Sequence, residues 1–289
     1  MNPAQIYVAG QFVPARDATV SANDAGLLLG AGLFETLRVY NKKPFRLAQH
    51  LERLHRSGEF LRIFLGESPR DIGRVIDQLL ELNGLTEARV RITATRGPLT
   101  RELEDDEAPH ATVLISAGPM TEYPREFYEQ GATVVVSDIR ANETDPTVYH
   151  KTVGYTRSLL ALRDAHRARA TEAIFFNTKN HLAEGAMSNV FLVKEGKLLT
   201  PPVEEGLLAG ITRATVLELA AAEGVPAEQR PLTIRDLLDA DEVFLTNAIM
   251  ELLPVCRVER KEISAGRPGP VWKRLAEAYK ARVVRETAG

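Results

Sequence analysis

Short β-branched runs and amphipathic helical segments follow one another here without strict alternation, and this order limits the folds that the chain can form. Residues 33–40 indicate a strand, and residues 69–82 indicate a helix that Ser68 caps, with Pro69 at its first position. Two further β-branched runs, residues 90–95 and 112–117, predict strands. A doubly wound parallel sheet needs regular alternation of strands and helices. The sequence therefore predicts an α+β fold.

A cluster of helix- and strand-breaking residues near the middle of the chain predicts a domain boundary. Gly118, Pro119 and Pro124 lie within seven positions of one another. We expect a small N-terminal α/β domain over residues 1–118, a linker over 119–125 and a larger domain over 126–289. In the second half, we expect strands at 133–137, 172–176, 189–193, 243–246 and 255–258, and helices at 155–170, 211–223 and 271–284. A length of 289 residues suits two domains.

Composition and charge exclude several classes of protein. The net charge of −3 and the scattered basic residues give no footprint for nucleic acid, and no apolar run approaches a membrane span. The first residues lack the basic start and apolar core of a signal peptide. The single cysteine, Cys256, cannot form an internal disulfide, and the six histidines have no zinc-ligand spacing. We expect a cytoplasmic protein that binds neither nucleic acid, membrane nor metal.

Lysine usage indicates one candidate for covalent chemistry. The chain has 27 arginines and nine lysines, and Lys151 is the only lysine between Lys43 and Lys179. Lysine can lose its proton when it is buried and can attack a carbonyl group as a free amine, whereas arginine cannot. The residues around Lys151 are also unlike a typical solvated run. Lys151 is therefore either a Schiff-base lysine or an ordinary surface lysine.

A glycine-rich segment, residues 206–213, is placed where a helix is expected to begin. It reads Gly-Leu-Leu-Ala-Gly-Ile-Thr-Arg. The free N–H groups and the dipole of a helix N-terminus suit a phosphate, and Thr212 could add a hydroxyl group. A plain Gly-Thr helix start explains the same residues, and neither a Walker A motif nor a dinucleotide-binding glycine motif is present.

Residues 184–213 carry a long spaced pattern that joins these features. Glu184 is followed after four residues by Asn189, an apolar residue and Phe191, then by an apolar-x-Thr ending at Thr200, and finally by Gly-Ile-Thr-Arg. This pattern resembles the signature of the class IV pyridoxal-phosphate aminotransferases. This group contains branched-chain and D-amino-acid aminotransferases and aminodeoxychorismate lyase.

Three other segments strengthen the resemblance and extend it over nearly the whole chain. Residues 32–38, Gly-Leu-Phe-Glu-Thr-Leu-Arg, resemble the N-terminal strand of the family. Residues 50–54 match its His-x-x-Arg-Leu helix, and residues 246–255 resemble its C-terminal cofactor loop. The resemblance implies fold type IV, with a small α/β domain and a larger pseudo-barrel domain that binds pyridoxal 5′-phosphate. It also implies a homodimer.

The resemblance assigns cofactor-binding roles to particular residues. Lys151 would bind the cofactor covalently and would be the catalytic residue. Glu184 would pair with the pyridine nitrogen and keep it protonated. Arg53 would bind the phosphate as a charged fork, and the backbone amides of Ile211 and Thr212 would cradle it.

Three further cofactor contacts follow from the resemblance, and two of them depart from the pattern of the branched-chain enzymes. Tyr155 would donate a hydrogen bond to the ring oxygen, but it follows the lysine by four residues where those enzymes have five. Asn247 and Ala248 match the loop near the phosphate. Ala248 stands where those enzymes commonly have threonine, so a side-chain contact is lost.

The subclass depends on the residues that bind substrate, and the candidates are Phe34 and, on the loop after a predicted strand, Arg96 and Arg101. Either arginine could grip a substrate carboxylate by bidentate pairing, or form an ordinary salt bridge. We expect transamination between an amino acid, branched-chain or similar, and a 2-oxo acid such as 2-oxoglutarate. The alternatives are aminodeoxychorismate lyase, which forms 4-aminobenzoate and pyruvate, a D-amino-acid aminotransferase, and a non-enzymatic binding protein of two domains.

Overall fold

The computed structural model describes residues 4–99 and 111–288, which pack as two compact units. The first unit comprises the described residues of Met1–Thr121, His150–Gly154 and Arg285–Gly289. The second unit comprises Glu122–Tyr149 and Tyr155–Val284. The first unit therefore includes two short segments from the second half of the chain. The domain limits given above remain a prediction.

The first unit is built on an antiparallel sheet with the strand order β2-β1-β6-β5-β3-β4. Its strands are β1 (Gln5–Val8), β2 (Gln11–Pro14), β3 (Gly32–Tyr40), β4 (Lys43–Pro44), β5 (Ala88–Thr95) and β6 (Thr112–Pro119), and its helices are α1 (Ala25–Leu29), α2 (Leu47–Leu61) and α3 (Pro69–Leu82). Buried and less buried residues alternate along β5, as expected for a strand with one face on a core.

Helix α3 has the bounds that its sequence predicts, because its ends carry strong local signals. Ser68 and Asp71 form a capping box, and Pro69 occupies the first turn. Its apolar face contributes Ile72, Ile76 and Leu79 to the core of this unit. The sheet contributes to the same core Leu37, Val90, Ile92 and Ile115.

The second unit is built on a mixed sheet with the order β12-β11-β10-β13-β14-β7-β8-β9, in which β15 also pairs with β14. Its strands are β7 (Ala132–Val136), β8 (Glu172–Phe176), β9 (Leu182–Gly185), β10 (Asn189–Lys194), β11 (Lys197–Thr200), β12 (Ala227–Gln229), β13 (Glu242–Asn247), β14 (Glu251–Val258) and β15 (Lys261–Glu262). The neighbours β11–β12, β14–β7 and β7–β8 are parallel, and the other pairs are antiparallel.

Helices complete the second unit, and the sheet curls on itself. The helices are α4 (Arg125–Gln130), α5 (Thr156–Arg167), α6 (Ile211–Ala222), α7 (Ile234–Leu238) and α8 (Pro270–Thr287), the last residues of which belong to the first unit. The terminal strand β9 also lies against β10, which bends the sheet towards a barrel. The predicted α+β fold with a pseudo-barrel is thus confirmed.

Some short elements carry no sequence signal strong enough to predict. Helix α1 has only five residues, fewer than two turns, so its apolar residues show no helical period. Its ends are nevertheless well defined, because Asp24 accepts a hydrogen bond from Gly26 N at 2.8 Å and Gly30 adopts φ 69°.

The longest described helix, α8, is amphipathic and carries several charged residues, among them Lys273 and Glu277. Within residues 4–99 and 111–288, no helix has both the length and the apolar character that crossing a bilayer requires.

Candidate active site

Lys151 lies on a short extended segment that is hydrogen-bonded to the beginning of β3 in the first unit. Phe34 N donates to Lys151 O at 2.9 Å, and Val153 N donates to Gly32 O at 2.9 Å. The side chain of Lys151 is half-buried, and its Nζ lies 4.5 Å from the centroid of the Phe34 ring. Two backbone hydrogen bonds therefore tie the segment that carries the candidate lysine to β3.

His150 gives this segment a second anchor, on helix α2. Its Nδ1 lies 2.9 Å from Ser57 Oγ, and its ring stacks on Phe60 with 4.6 Å between the centroids. Sequence reasoning assigned no role to any of these three residues. Their effect is to fix the residue that precedes Lys151.

Phe34 also lies against the guanidinium of Arg91, which sequence reasoning missed. Arg91 on β5 places its Cζ 3.9 Å from the Phe34 ring centroid. Of the two arginines suggested for a substrate carboxylate, Arg96 is half-buried just after β5, and its backbone N donates to Ala31 O at 2.9 Å. Arg101 lies outside the described residues.

Arg53, the predicted phosphate ligand, is buried in an ion pair with Glu35 on β3. Arg53 Nε donates to Glu35 Oε1 and Arg53 Nη2 donates to Glu35 Oε2, both at 2.7 Å. Burial works to raise the pKa of Glu35, but the charge of Arg53 and the hydrogen bonds from His50 and Arg53 outweigh it and lower that pKa to about 2. Glu35 is therefore ionised at neutral pH.

Glu184 belongs to the second unit, on β9, and its carboxylate has neighbours on α5 and in the segment before α6. Leu208 N donates to Glu184 Oε2 at 3.0 Å, and Arg157 Nη2 lies 3.7 Å from Glu184 Oε1. Arg157 in turn places its Cζ 4.7 Å from the centroid of the Phe175 ring. Sequence reasoning missed Arg157, whose contact with Glu184 depends on the packing of α5 against the sheet.

The start of helix α6 leaves its first backbone N–H groups without a side-chain cap. Gly210 is the N-cap residue and supplies no side-chain cap, so the first N–H groups, including those of Ile211 and Thr212, have no acceptor within the helix. Asn189 Nδ2 donates to Leu208 O at 2.8 Å and packs closely on Gly210, where a Cβ would overlap Asn189 Oδ1. Only glycine fits at this position without movement.

The loop that contains Asn247 and Ala248 is fixed mainly by the Asn247 side chain. Its Oδ1 accepts hydrogen bonds from Ile249 N and Met250 N, both at 2.8 Å, and its Nδ2 donates to Met187 O at 3.0 Å. Asn247 therefore ties this loop to the signature segment. Tyr155, the remaining predicted cofactor contact, is half-buried and precedes helix α5.

A buried carboxyl group on β8 supports the same signature segment. Glu172 is 2% exposed, its Oε1 accepts from Ala173 N at 3.2 Å, and Ser188 Oγ donates to its Oε2 at 3.3 Å. Burial raises the pKa of Glu172 to about 7, although these hydrogen bonds act in the opposite direction.

This raised pKa predicts how Glu172→Gln changes stability with pH. In wild type, the folded state holds a proton that the unfolded state has already lost, so stability falls as the pH rises from the unfolded pKa near 4.5 to about 7. Glutamine cannot lose that proton. We expect the difference in unfolding free energy between the variant and wild type to rise by about 2 kcal/mol, in favour of the variant, from pH 5 to pH 8. Urea denaturation at both pH values measures this, and an equal difference at both would contradict it.

The groups brought together within each unit suit pyridoxal 5′-phosphate in their chemistry. The first unit offers an amine, Lys151, for the aldehyde and a guanidinium, Arg53, for the phosphate. The second offers a carboxylate, Glu184, for the pyridine nitrogen, and a helix N-terminus without a side-chain cap for the phosphate. Asn189 and Gly210 shape that N-terminus. The described residues therefore fit the cofactor.

Comparison with known proteins identifies the family. Residues 32–258 match the family model described as amino-transferase class IV. A Methanocaldococcus jannaschii protein provisionally named a branched-chain-amino-acid aminotransferase is 36% identical, and the match covers 96% of this chain and 95% of that protein. A D-alanine aminotransferase of Listeria innocua is 28% identical, with 97% and 96% covered.

Solved structures agree with this assignment. The branched-chain amino acid aminotransferase of Escherichia coli is 32% identical and matches with a TM-score of 0.91, covering 96% of this chain and 94% of that one. The corresponding T.th. enzyme, solved with pyridoxamine 5′-phosphate, is 30% identical with a TM-score of 0.90, covering 97% and 94%. A Legionella pneumophila protein provisionally named 4-amino-4-deoxychorismate lyase is 27% identical with a TM-score of 0.84, covering 92% and 96%. The chain belongs to the class IV aminotransferase family and is an enzyme that depends on pyridoxal 5′-phosphate.

Proposed function

We propose that this enzyme transfers the amino group of an amino acid, branched-chain or similar, to a 2-oxo acid such as 2-oxoglutarate. The observation that carries the proposal is the presence of Lys151 and Glu184 in a chain that is similar over nearly its whole length to branched-chain aminotransferases. A non-enzymatic binding protein would have no need to keep both groups.

Lys151 has two tasks in this proposal. Its Nζ would hold the cofactor covalently, and as a free amine it would take up the proton from the substrate Cα. The bound cofactor supplies an electron sink for the negative charge that this proton leaves behind. The pairing of the 150–154 segment with β3 supports this role, because it gives Nζ a fixed point of origin beside Phe34.

Groups at both ends of the cofactor hold it in place. Glu184 would accept the pyridine N–H and keep the ring nitrogen charged. Arg53 and the backbone amides of Ile211 and Thr212 would bind the phosphate. The 5% exposure of Arg53 and the absence of a side-chain cap on α6 support these assignments.

Three other residues complete the cofactor contacts that we propose. Tyr155 donates to the ring oxygen. Asn247 and Ala248 line the phosphate end through their backbone, because the polar atoms of the Asn247 side chain already bond to its own loop and to Met187 O.

On the substrate side we propose Phe34, Arg96 and Arg101. The contact of Phe34 with Lys151 Nζ supports its place beside the reacting atoms, where its ring excludes water. The arginines would pair with a substrate carboxylate.

A lyase is the second candidate, and the loop 247–250 is the observation that favours it. Its sequence Asn-Ala-Ile-Met resembles that of aminodeoxychorismate lyase, and a structure provisionally named as such an enzyme is similar to this chain. Both reactions begin with removal of a proton from the substrate Cα. The lyase then eliminates pyruvate, whereas the transaminase passes the amino group to a second substrate.

A spectral titration of the holoenzyme tests the proposal. We expect L-leucine or a similar amino acid to shift the absorption of the bound cofactor, and we expect 2-oxoglutarate to restore the first spectrum, because transamination consists of two opposite half-reactions. D-alanine in a parallel titration distinguishes a D-amino-acid aminotransferase. If no amino acid shifts the spectrum while aminodeoxychorismate yields pyruvate catalytically, the enzyme is the lyase.

We further propose that the enzyme is a cytoplasmic homodimer. Helix α1 supports the dimer, because Leu27, Leu28 and Leu29 are adjacent and are 51–67% exposed, which is unusual for a surface of a monomer. The single cysteine, which is buried, agrees with a reducing compartment.

A further inference from the structure

A buried cluster of three polar residues lies between β3 and α2 in the first unit. Glu35, His50 and Arg53 are 0%, 3% and 5% exposed, respectively. Glu35 accepts two hydrogen bonds from Arg53 at 2.7 Å, and His50 Nδ1 lies 2.7 Å from Glu35 Oε2. An ionised carboxylate can only accept hydrogen bonds, so His50 must donate from Nδ1. Both carboxylate oxygens of Glu35 are thus bonded to α2.

The two hydrogen bonds between Glu35 and Arg53 determine which edge of the Arg53 guanidinium faces Glu35 and which edge faces other groups. Glu35 occupies the Nε and Nη2 edge of Arg53. Two parallel bonds fix the plane of the guanidinium as well as its position. The Nη1 side is therefore directed away from Glu35 in one defined orientation. A single hydrogen bond would leave the group free to rotate.

The same strand also holds Lys151. Successive side chains of a strand point to opposite faces, so the side chains of Phe34 and Glu35 lie on opposite faces of β3. Phe34 N bonds to Lys151 O and its ring lies against Nζ, whereas Glu35 bonds to Arg53. One pair of adjacent residues therefore positions the proposed covalent anchor and the proposed phosphate ligand.

We propose that Glu35 is a positioning residue, oriented by His50, that holds Arg53 in the orientation needed to bind the cofactor phosphate. This inference rests on the proposed phosphate role of Arg53. It assigns Glu35 no contact with the cofactor or the substrate. Its consequence is specific, because removal of Glu35 should affect ligands that carry the phosphate and spare ligands that lack it.

Glu35→Gln tests the inference when the dissociation constants of pyridoxal 5′-phosphate and of pyridoxal, which lacks the phosphate, are both measured by absorption. Glutamine keeps the shape but loses the charge and one acceptor. We expect affinity for pyridoxal 5′-phosphate to fall about 10- to 100-fold, the range for a lost hydrogen bond to a charged group. We expect the affinity for pyridoxal to change by less than about twofold.

Two controls separate positioning from a general structural effect. Glu242→Gln removes another buried carboxylate, which accepts bonds from Val271 N and Trp272 N in the second unit, and it should leave the ratio of the two affinities unchanged. Arg53→Ala should lower the affinity for pyridoxal 5′-phosphate relative to that for pyridoxal, as Glu35→Gln does. The double variant should lower this ratio no further. If Glu35→Gln does not fold, Glu35→Asp, which keeps the charge but shortens the reach, should also lower the ratio.

The outcomes distinguish failure of the inference from failure of the proposed function. If Arg53→Ala lowers the ratio but neither Glu35 variant does, Glu35 is only a structural partner and the inference is wrong. If Arg53→Ala leaves the ratio unchanged, Arg53 does not bind the phosphate, and that part of the proposed function falls together with the inference. If both Glu35 variants weaken the two ligands equally, the effect is general and the inference is also wrong.

Discussion

Lys151→Ala is expected to abolish the covalent attachment of the cofactor and to reduce turnover by at least about 10³-fold, because we propose that one amine performs both the attachment and the proton transfer. The methyl group of alanine can do neither. The backbone bonds from Phe34 N and to Gly32 O do not involve the side chain, so the segment should keep its place. The visible absorption of the purified protein and its rate with saturating substrates measure the two effects.

Lys179→Ala is the matched control for this prediction. Lys179 is 61% exposed in its side chain, and its Nζ lies 3.7 Å from the buried carboxylate of Glu143. Its replacement should leave both the spectrum and the rate close to those of the wild type. A Lys151→Ala enzyme with wild-type spectrum and rate would show that another amine carries the cofactor.

The second large effect is expected for Glu184→Gln, which should retain the cofactor but turn over about 10²- to 10³-fold more slowly. Glutamine can still accept the hydrogen bond from Leu208 N, so the local fold is kept. It cannot provide the negative charge that we propose holds the proton on the pyridine nitrogen, and a neutral ring is a poorer electron sink. Cofactor content and kcat are the two measurements.

Glu184→Asp provides the comparison, because it keeps the charge and only shortens the side chain. We expect its rate to lie between those of the wild type and Glu184→Gln. A Glu184→Gln enzyme with near-normal kcat would show that a different group charges the ring nitrogen.

The parts of this molecule that sequence could predict are those with local signals. Helix α3 is delimited by Ser68 and Pro69, which act within a single turn. Strand β8 has the bounds Glu172–Phe176 that its apolar run predicts. Lys151 stands out in the sequence because the chain prefers arginine around it, and its catalytic role stays a prediction. In each case the signal lies in the residues themselves or in their immediate neighbours.

The parts that sequence could not predict depend on contacts between distant segments. Glu35 meets Arg53 18 residues away only because β3 and α2 pack together. The sequence does not indicate that the two residues pair, because a glutamate in the middle of a strand gives no helical or turn signal. The pairing of the 150–154 segment with β3 is likewise non-local, and so is the approach of Arg157 to Glu184.

The central claim is that Lys151 carries the cofactor, and trapping that bond tests it most directly. Borohydride reduction of the holoenzyme makes the link to its lysine permanent, and mass spectrometry of a protease digest then locates the added phosphopyridoxyl group. We predict that the group lies on the peptide containing Lys151 and on no other peptide. A group found on Lys179 or on any other lysine, or no trapped group at all in a cofactor-saturated enzyme, would contradict the claim.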